Sequence, residues 1–325
     1  LWSRGLGDVY KRQALLGPYL FKKTGVKYGI DYIDPWVHQF PGADKFLSRH
    51  WWSSLLAKKL EPKAIKYASL ITGVDRNYYQ PVLERNPLLK QKALEGAMPY
   101  GAELKDFEML HTLPLSDYLF NKNAKVKLMY AGALLPNAFG PLERIFSAIS
   151  NHKDLFSSVE FYFIGTGKSI GGQITYAVRS LAEKYNLWNT VVFEHPERVP
   201  YLDVLHHLKK ANGSFILGST EMHYTPSKLY LSMLSGKSVL AVLHEKSLAV
   251  TTIEQTKTGI ALCFSGADDL RKIEDLFPEY FAEWVRFQDT YVFSDAHRAL
   301  LQPYTANRST QVLAQLMDQV ILLDK

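Results

Sequence analysis

Short apolar runs alternate with segments of helical period through the second half of the chain. Between residues 124 and 300, stretches with an apolar face at helical spacing separate runs of three to seven residues that are bounded by polar residues or glycine. Six runs read as strands: 127–133, 159–164, 191–194, 215–217, 238–243 and 260–264. Strict alternation of strand and helix predicts a parallel sheet with helices on both faces. We therefore expect one six-stranded α/β domain over residues 124–300.

The first part of the chain repeats this pattern less completely. Residues 14–111 contain three strand-like runs, at 28–33, 69–72 and 97–100, with helical stretches at 44–67 and 74–94. A complete Rossmann-like half has about five or six strands, so this part predicts a smaller, incomplete sheet. Residues 112–124 are rich in turn-forming residues and lack a period, which predicts a linker. The first domain is thus expected over residues 14–123.

Both ends of the chain differ from the rest. The sequence begins with Leu, and residues 1–13, LWSRGLGDVYKRQ, are typical of a translated sequencing adaptor, so we expect them to lie outside the fold. Residues 301–325 form the last segment. Within it, residues 307–323 predict an amphipathic helix. Its apolar stripe consists of Val312, Leu313, Leu316, Met317, Val320 and Ile321.

The stretch 214–243 carries the strongest functional signal. It predicts a strand, a polar loop, a helix that starts at Pro226 with Thr225 as N-cap, a turn at Gly236 and another strand. Ligands bind outside the carboxyl ends of strands in open α/β sheets, and helix N-termini favour phosphate. Ser227 and Lys228 in the first turn therefore predict an anion site, although a solvated surface lysine explains Lys228 as well.

Other predicted strands end in residues suited to the same site. Gly132 follows the first of the six strands, and Gly165 and Gly167 follow the second. Glycines at such turns let the backbone approach a ligand, but they are equally common in plain strand-to-helix turns. Arg198, after the third strand, could fork onto a diphosphate or lie exposed at a helix start. Residues 167–169 imitate the end of a P-loop, but Tyr162 stands where that motif needs glycine, which argues against ATPase or GTPase chemistry.

Composition and charge narrow the class of protein. Residues 1–125 contain 19 Lys and Arg against 12 Asp and Glu, whereas the remainder contains 19 against 20. A basic first part suits an anionic membrane surface or an acidic acceptor, and solvated helix faces explain it about as well. Aromatic residues do not interleave with the basic ones, so we expect no nucleic-acid partner. Cys263 is the single cysteine, and no Asp-x-Asp or paired-histidine motif predicts a metal site.

Four stretches resemble GT-B glycosyltransferases, specifically the retaining group called family 4 or group 1. They are YAGALLPNAFGPLERIFSAI (130–149), FYFIGTG (161–167), RVPYLDVLHHLKKANGSFILGS (198–219) and EMHYTPSKLYLSMLSGKSVLAV (221–242). The resemblance covers most of residues 25–325 in layout. That family has two glutamates eight residues apart at the donor site, where this chain has His223 and Leu231. Glu221 lies close enough to take over a sugar or ribose contact.

The resemblance implies a fold and a site. The fold would be two Rossmann-like domains, with the incomplete acceptor-side domain first and a last helix that returns to it. Glu221 and His223 would be the catalytic groups. The donor would be bound by Gly132, Gly165, Gly167, Arg198, Tyr224, Thr225, Ser227 and Lys228. It also implies that the first strands of the acceptor domain precede residue 1 in a longer gene.

The implied activity is metal-independent transfer of a hexosyl group from a nucleotide-diphosphate sugar, with no cofactor. The acceptor would be a glycan or lipid-linked glycan, and the protein would be cytoplasmic, at the inner face of the membrane. Two alternatives stay open. One is a nucleotide-sugar 2-epimerase of the same architecture, which would need carboxylates facing the sugar from both domains. The other is a non-catalytic nucleotide-sugar-binding remnant, which Leu231 favours and the Ser227–Lys228 turn disfavours.

Overall fold

The computed structural model describes residues 13–37, 45–170 and 173–322. Except for Gln13, the expected adaptor segment lies outside these ranges. The chain forms two compact units. The first comprises the residues up to Tyr100 together with those from Asn307 onwards, and the second comprises Gly101–Ala306.

The elements are numbered here in chain order. The strands are β1 (Gly29–Tyr32), β2 (Leu70–Gly73), β3 (Leu94–Ala97), β4 (Val126–Ala131), β5 (Val159–Ile164), β6 (Lys168–Ile170), β7 (Gln173–Thr175), β8 (Val192–His195), β9 (Gly213–Leu217), β10 (Ser238–His244) and β11 (Gly259–Phe264). The α-helices are α1 (Leu16–Thr24), α2 (Arg49–Ile65), α3 (Arg76–Arg85), α4 (Pro87–Lys90), α5 (Leu104–Met109), α6 (Phe139–Asn151), α7 (Arg179–Lys184), α8 (Tyr201–Lys210), α9 (Lys228–Leu234), α10 (Leu248–Thr256), α11 (Leu270–Thr290), α12 (Asp295–Leu301) and α13 (Ala306–Leu322).

The first unit is built on a parallel three-stranded sheet in the order β1-β2-β3. Strand β2 is buried at all four positions, as expected for a central parallel strand. The third strand was predicted at 97–100 but lies three residues earlier. Met98 donates its N–H to Gly73 as the ladder ends, and Pro99 beyond it has no N–H to donate.

Helix α13 belongs to the first unit. Lys27 Nζ donates to the carbonyl of Val320 at 2.6 Å, and Ser309 Oγ donates to the carbonyl of Pro99 at 2.8 Å. Leu316 packs against Gly96 so closely that a Cβ on this glycine would lie 2.4 Å from Leu316 Cδ1. Part of the predicted apolar stripe is covered in this way, whereas Met317 and Ile321 are exposed.

The second unit contains the predicted six-stranded sheet, with every pairing parallel and the order β11-β10-β9-β4-β5-β8. Successive residues point to opposite faces of a strand. Strands β5 and β10 are buried at every position, so both faces of this sheet are covered. The α/β prediction is thus confirmed for this unit.

The strand order creates a switch point between β4 and β9. From β4 the chain moves outward through β5 to β8, then returns to place β9 on the other side of β4. Connections leave the carboxyl ends of β4 and β9 in opposite directions, which opens a crevice there. In open α/β sheets this crevice is the usual ligand site.

Two segments differ from their predictions. The helix predicted over 174–185 begins only at Arg179, and residues 173–175 form strand β7, paired antiparallel with β6. Residues 174 and 175 are β-branched, which favours a strand. The predicted linker, 112–124, lies within the second unit. There Leu119 N donates to His207 Nε2, and Asn121 N donates to Tyr162 Oη.

Within the described ranges, no helix is both long enough and apolar enough to cross a bilayer.

Candidate functional site

Lys228 places a positive charge at the switch point. Although it is the first residue of α9, its side chain reaches back to the end of β4. There Nζ donates to Tyr130 Oη at 2.6 Å and to the Ala133 carbonyl at 3.1 Å. The same nitrogen lies 3.9 Å from the centroid of the Tyr130 ring, a cation–π distance. Lys228 is partly exposed, and these three contacts hold its ammonium group at the end of β4.

The helix behind Lys228 is shorter than predicted. The sequence pattern indicated a start at Pro226, but α9 begins at Lys228 and has seven residues, with Ser227 as N-cap in place of the predicted Thr225. Leu229 N donates to the Pro226 carbonyl, which is the i to i+3 hydrogen bond of a 3₁₀ turn. Thr225 is only 1% exposed, so its side chain faces the protein.

Burial changes the acid–base behaviour of Lys228. Loss of hydration lowers its pKa to about 7, because the charged form is disfavoured away from water. Burial likewise raises the pKa of Tyr130 well above its usual value, and the nearby Tyr224 adds to that effect. Tyr130 therefore keeps its proton, which it donates to the Ala133 carbonyl at 3.0 Å. An anion that entered beside Lys228 would favour its protonated form.

We expect the stability of the protein to show this burial as a pH dependence. The folded pKa of Lys228, about 7, lies below the ordinary lysine value of about 10.4. Between these values the unfolded chain binds more protons, so the free energy of unfolding rises with pH. Urea unfolding of the wild type and Lys228→Met at several pH values from 6.5 to 10 measures the difference. We expect that difference to move in favour of the wild type as the pH rises, and parallel curves would contradict the assignment.

Two glycines let the strand ends come together beside Lys228. Gly132 has φ +92° and Gly165 has φ +73°, a region that side-chain-bearing residues rarely adopt. A Cβ on Gly165 would lie 3.9 Å from Gly132 Cα, and one on Gly132 would lie 3.9 Å from Lys228 Nζ. Their amides continue the sheet, since Gly132 N donates to the Ile164 carbonyl and Gly165 N to the His195 carbonyl.

The carboxylate of Glu194 fixes the loop after β5 through hydrogen bonds. One carboxylate oxygen accepts hydrogen bonds from Thr166 Oγ1 at 2.6 Å and Ala177 N at 2.7 Å. The other accepts from Val178 N at 2.9 Å and Arg179 N at 3.0 Å. Glu194 is 7% exposed. It therefore ties the loop that carries Gly165 to the start of α7.

Gly167 lies in this loop, and Arg198 lies in the loop that follows β8. Gly167 N donates to the Pro196 carbonyl at 2.9 Å. A Cβ on Gly167 would come within 2.6 Å of that oxygen, so only glycine fits without a backbone shift. Arg198, two residues beyond Pro196, is exposed. Close packing therefore explains Gly167, whereas Arg198 is simply an exposed side chain of the loop after β8.

The loop after β9 carries the remaining predicted residues. It touches the loop after β4, because Thr220 N donates to the Asn137 carbonyl at 3.3 Å. Glu221 is partly buried. Its carboxylate accepts a hydrogen bond from Ser219 Oγ at 3.3 Å, and its backbone N–H donates to the same Ser219 Oγ at 3.2 Å. His223 and Tyr224 are also partly exposed, whereas Ser227 is exposed. Ser247 Oγ donates to the Tyr224 carbonyl at 2.7 Å and so anchors the loop.

Sequence reasoning missed three residues that shape this site. Tyr130 orients Lys228, Asn137 joins two loops, and Glu194 holds a third. Tyr130 sits inside an apolar run and reads as core. Glu194 was detectable, because an acidic residue in an otherwise buried strand needs buried partners. Among the described residues, no group of three or more His, Cys, Asp or Glu side chains could hold a metal ion.

No protein-family model matches this sequence, and no curated protein matches it. Solved structures do resemble it in fold. The α,α-trehalose 6-phosphate synthase of Burkholderia multivorans aligns over 96% of this chain and 71% of its own, with 13% identity and a TM-score of 0.65. Anabaena Alr3699/HepE, solved in complex with UDP-glucose, aligns over 95% and 76%, with 12% identity and a TM-score of 0.63.

TarM is a further structural neighbour. It aligns over 94% of this chain but 53% of its own length, with 13% identity and a TM-score of 0.56. At these identities the likeness shows the fold alone. The fold class is therefore the predicted one, the Rossmann-like α/β architecture of GT-B proteins.

Proposed function

We propose that this protein transfers a sugar from a nucleoside diphosphate sugar to an acceptor. The observation that carries the proposal is the position of the Lys228 ammonium at the switch point, beside Gly132 and Gly165. A cation held at a strand-end crevice with glycine-lined walls suits a diphosphate. The GT-B fold of the neighbours and the UDP-glucose bound to one of them support this class of donor.

The chemistry that we propose is a glycosyl transfer. The bond between the sugar anomeric carbon and the diphosphate oxygen breaks, a bond from that carbon to an acceptor hydroxyl oxygen forms, and the hydroxyl proton is released to water. Negative charge then collects on the nucleoside diphosphate. Lys228 would stabilise this charge where it develops, which makes a metal ion unnecessary in the proposal. No cofactor takes part in the proposed reaction.

We propose roles for the other predicted residues as well. Gly132, Gly165 and Gly167 would let the backbone approach the diphosphate, with exposed Arg198 and Ser227 at its edge. Glu221, His223 and Tyr224 sit on the partly exposed loop after β9, and we place Glu221 and His223 towards the sugar. Thr225, being buried, would act by supporting that loop.

A panel of nucleotide sugars tests this function. The full chain is incubated with UDP-, GDP- and ADP-linked hexoses and with glycan or lipid-linked acceptors, and the released nucleoside diphosphate and glycosylated product are both measured. Product formation supports the transferase. Turnover of the sugar to its 2-epimer without an acceptor would support the epimerase, and binding with no turnover would support the remnant. Absence of binding by every donor would contradict all three.

The first unit is proposed to take part in acceptor and membrane contact. Its helix α2 carries exposed Trp52, Leu55 and Leu56 together with lysines such as Lys58 and Lys59. Exposed aromatic and aliphatic side chains mixed with lysines suit the interface of an anionic bilayer. A lipid-linked acceptor at the inner, cytoplasmic face of a membrane would be consistent with this surface.

Vesicle sedimentation measures the membrane contact. We expect the protein to pellet with vesicles of phosphatidylglycerol and phosphatidylcholine, and less with phosphatidylcholine alone or at high salt. Trp52→Ser combined with Lys59→Glu should lower the bound fraction several-fold. The matched control is Leu88→Ser combined with Lys90→Glu, which alters an exposed leucine and a lysine of α4. Equal binding by both double variants would rule out α2 as the contact.

A further inference from the structure

A cavity lies at the amino ends of β4 and β9, in the six-stranded sheet. Its volume is about 860 Å³, and its lining includes Lys127 near the start of β4, Asn212 directly before β9 and Lys210 at the end of α8. In a parallel sheet the amino ends of β4 and β9 face away from their carboxyl ends, where Lys228 lies. The cavity is therefore separate from the proposed donor site, although the same unit contains both.

The lining of this cavity is basic. Lys122, Lys125, Lys127 and Lys210 contribute to it, whereas Asp117 is the single acidic residue among the lining side chains. The ammonium of Lys127 is turned into the structure, where the buried Glu160 offsets its charge. Lys122 and Lys210 are exposed, and Lys125 is partly exposed. At least three cations are thus left to face a ligand.

Lys127 shapes the loop that forms the cavity wall. Its Nζ donates to the carbonyl and the side-chain oxygen of Asn123, at 2.7 and 2.6 Å, and to the Lys125 carbonyl at 2.6 Å. Asn123 Nδ2 in turn donates to Glu160 at 2.8 Å. These partly buried contacts fix the backbone of residues 123–125. The wall is therefore formed before any ligand binds, which lowers the entropic cost of binding.

An aromatic surface completes the cavity. Tyr118 is 39% exposed, and its ring stacks on His206 with centroids 4.2 Å apart. Phe120 lies parallel to it at 6.4 Å, and Lys210 Nζ lies 5.5 Å from the Tyr118 centroid. Leu119 between the two rings is anchored through its N–H to His207. A rigid, partly exposed ring next to a lysine offers one apolar and one cationic contact.

We propose that this cavity binds an anionic saccharide, of the sugar phosphate class. The lysines would bind the phosphate as point charges, and the Tyr118 ring would pack against the C–H groups of the sugar. A volume of about 860 Å³ lies within the range of small-ligand sites, roughly 300–1,000 Å³. The inference does not depend on the proposed transferase activity, because the cavity lies at the amino ends of the strands and the proposed donor site at their carboxyl ends.

The test compares three probes on the full chain, with calorimetry and saturation-transfer NMR. We expect glucose 6-phosphate to bind more tightly than inorganic phosphate, and glucose to bind weakest. Lys210→Ala should weaken glucose 6-phosphate about tenfold, the effect of one charge-assisted contact. Tyr118→Leu should weaken glucose 6-phosphate but leave inorganic phosphate unchanged.

Matched controls separate this site from general charge and from the donor site. Lys209→Ala removes the neighbouring exposed lysine of the same helix turn, which is not part of the lining, and should change nothing. Lys228→Ala should also leave glucose 6-phosphate binding intact. Equal losses in Lys209→Ala and Lys210→Ala, loss in Lys228→Ala alone, or no binding at millimolar concentration would each overturn the proposal. Tighter binding of uridine monophosphate than of glucose 6-phosphate would overturn the saccharide assignment.

Discussion

Replacement of Lys228 by alanine is expected to weaken the binding of a nucleoside diphosphate sugar by one to two orders of magnitude. Loss of a charge-assisted contact costs about 1.5–3 kcal/mol, and about 1.4 kcal/mol corresponds to a factor of ten in affinity. The ammonium sits at the switch point, 2.6 Å from Tyr130 Oη. No lysine or arginine occurs in the loop from Gly132 to Gly140 that could replace it.

Calorimetric titration with nucleotide sugars measures this loss. Lys237→Ala is the matched control, since Lys237 lies just past the far end of α9. The fold should survive the Lys228 change, because Tyr130 Oη still donates to the Ala133 carbonyl. A thermal melt of each variant checks that point. Equal, small losses in both variants would return Lys228 to the role of an ordinary surface lysine and remove the main support for the transferase proposal.

The lowered pKa of Lys228 predicts a second measurable effect, proton uptake, in the same calorimetric titration. At pH 8 a lysine with a pKa of about 7 is mostly neutral, and a bound diphosphate would favour its charged form. Binding should then take up a proton, so the observed enthalpy should differ between buffers of high and low ionisation enthalpy. Lys228→Ala should lose this dependence, whereas Lys237→Ala should keep it. A variant that loses affinity but keeps proton uptake would indicate another titrating group.

The sequence predicted strands β5 and β10 closely because each is a buried, predominantly apolar run. Strand β5 was predicted at its observed bounds, and β10 differs by one residue. The longest described helix, α11, was not predicted, although Ile273, Phe277, Phe281 and Trp284 recur at helical spacing. Pro278 inside it resembles a stop signal. Packing against the sheet outweighs the hydrogen bond that this proline removes.

The sequence predicted residues of the candidate site only where the local pattern around a single residue indicated a role. Gly132 was singled out because it follows a predicted strand, and Lys228 because it lies in the first turn of a predicted helix. Their meeting depends on a side chain that runs from α9 to the end of β4, 98 residues away in sequence. No local pattern encodes such a contact. The same holds for α7, whose start is set by a carboxylate 15 to 17 residues further along the chain.

Substitution of Glu194, which provides that carboxylate, is expected to destabilise the second unit strongly. Each oxygen accepts two hydrogen bonds. Glutamine keeps the shape but offers one oxygen, so two donors would face an amide NH₂ group in either orientation. Two hydrogen bonds to a charged group, at about 1.5–3 kcal/mol each, amount to about 3–6 kcal/mol. We therefore expect Glu194→Gln to lower the free energy of unfolding by that order.

Urea unfolding followed by circular dichroism measures the loss, with Glu183→Gln as the matched control. Glu183 lies on α7 itself and pairs with Arg179 at 2.8 Å, but both side chains are about half exposed. An exposed i,i+4 pair is worth about 0.3–0.5 kcal/mol, so this control should stay close to the wild type. Because Glu194 also holds Thr166 beside Gly165, its variant should bind the nucleotide sugar more weakly at temperatures where it remains folded. Equal stability of the two variants would show that the start of α7 and the glycine loop are held by other contacts.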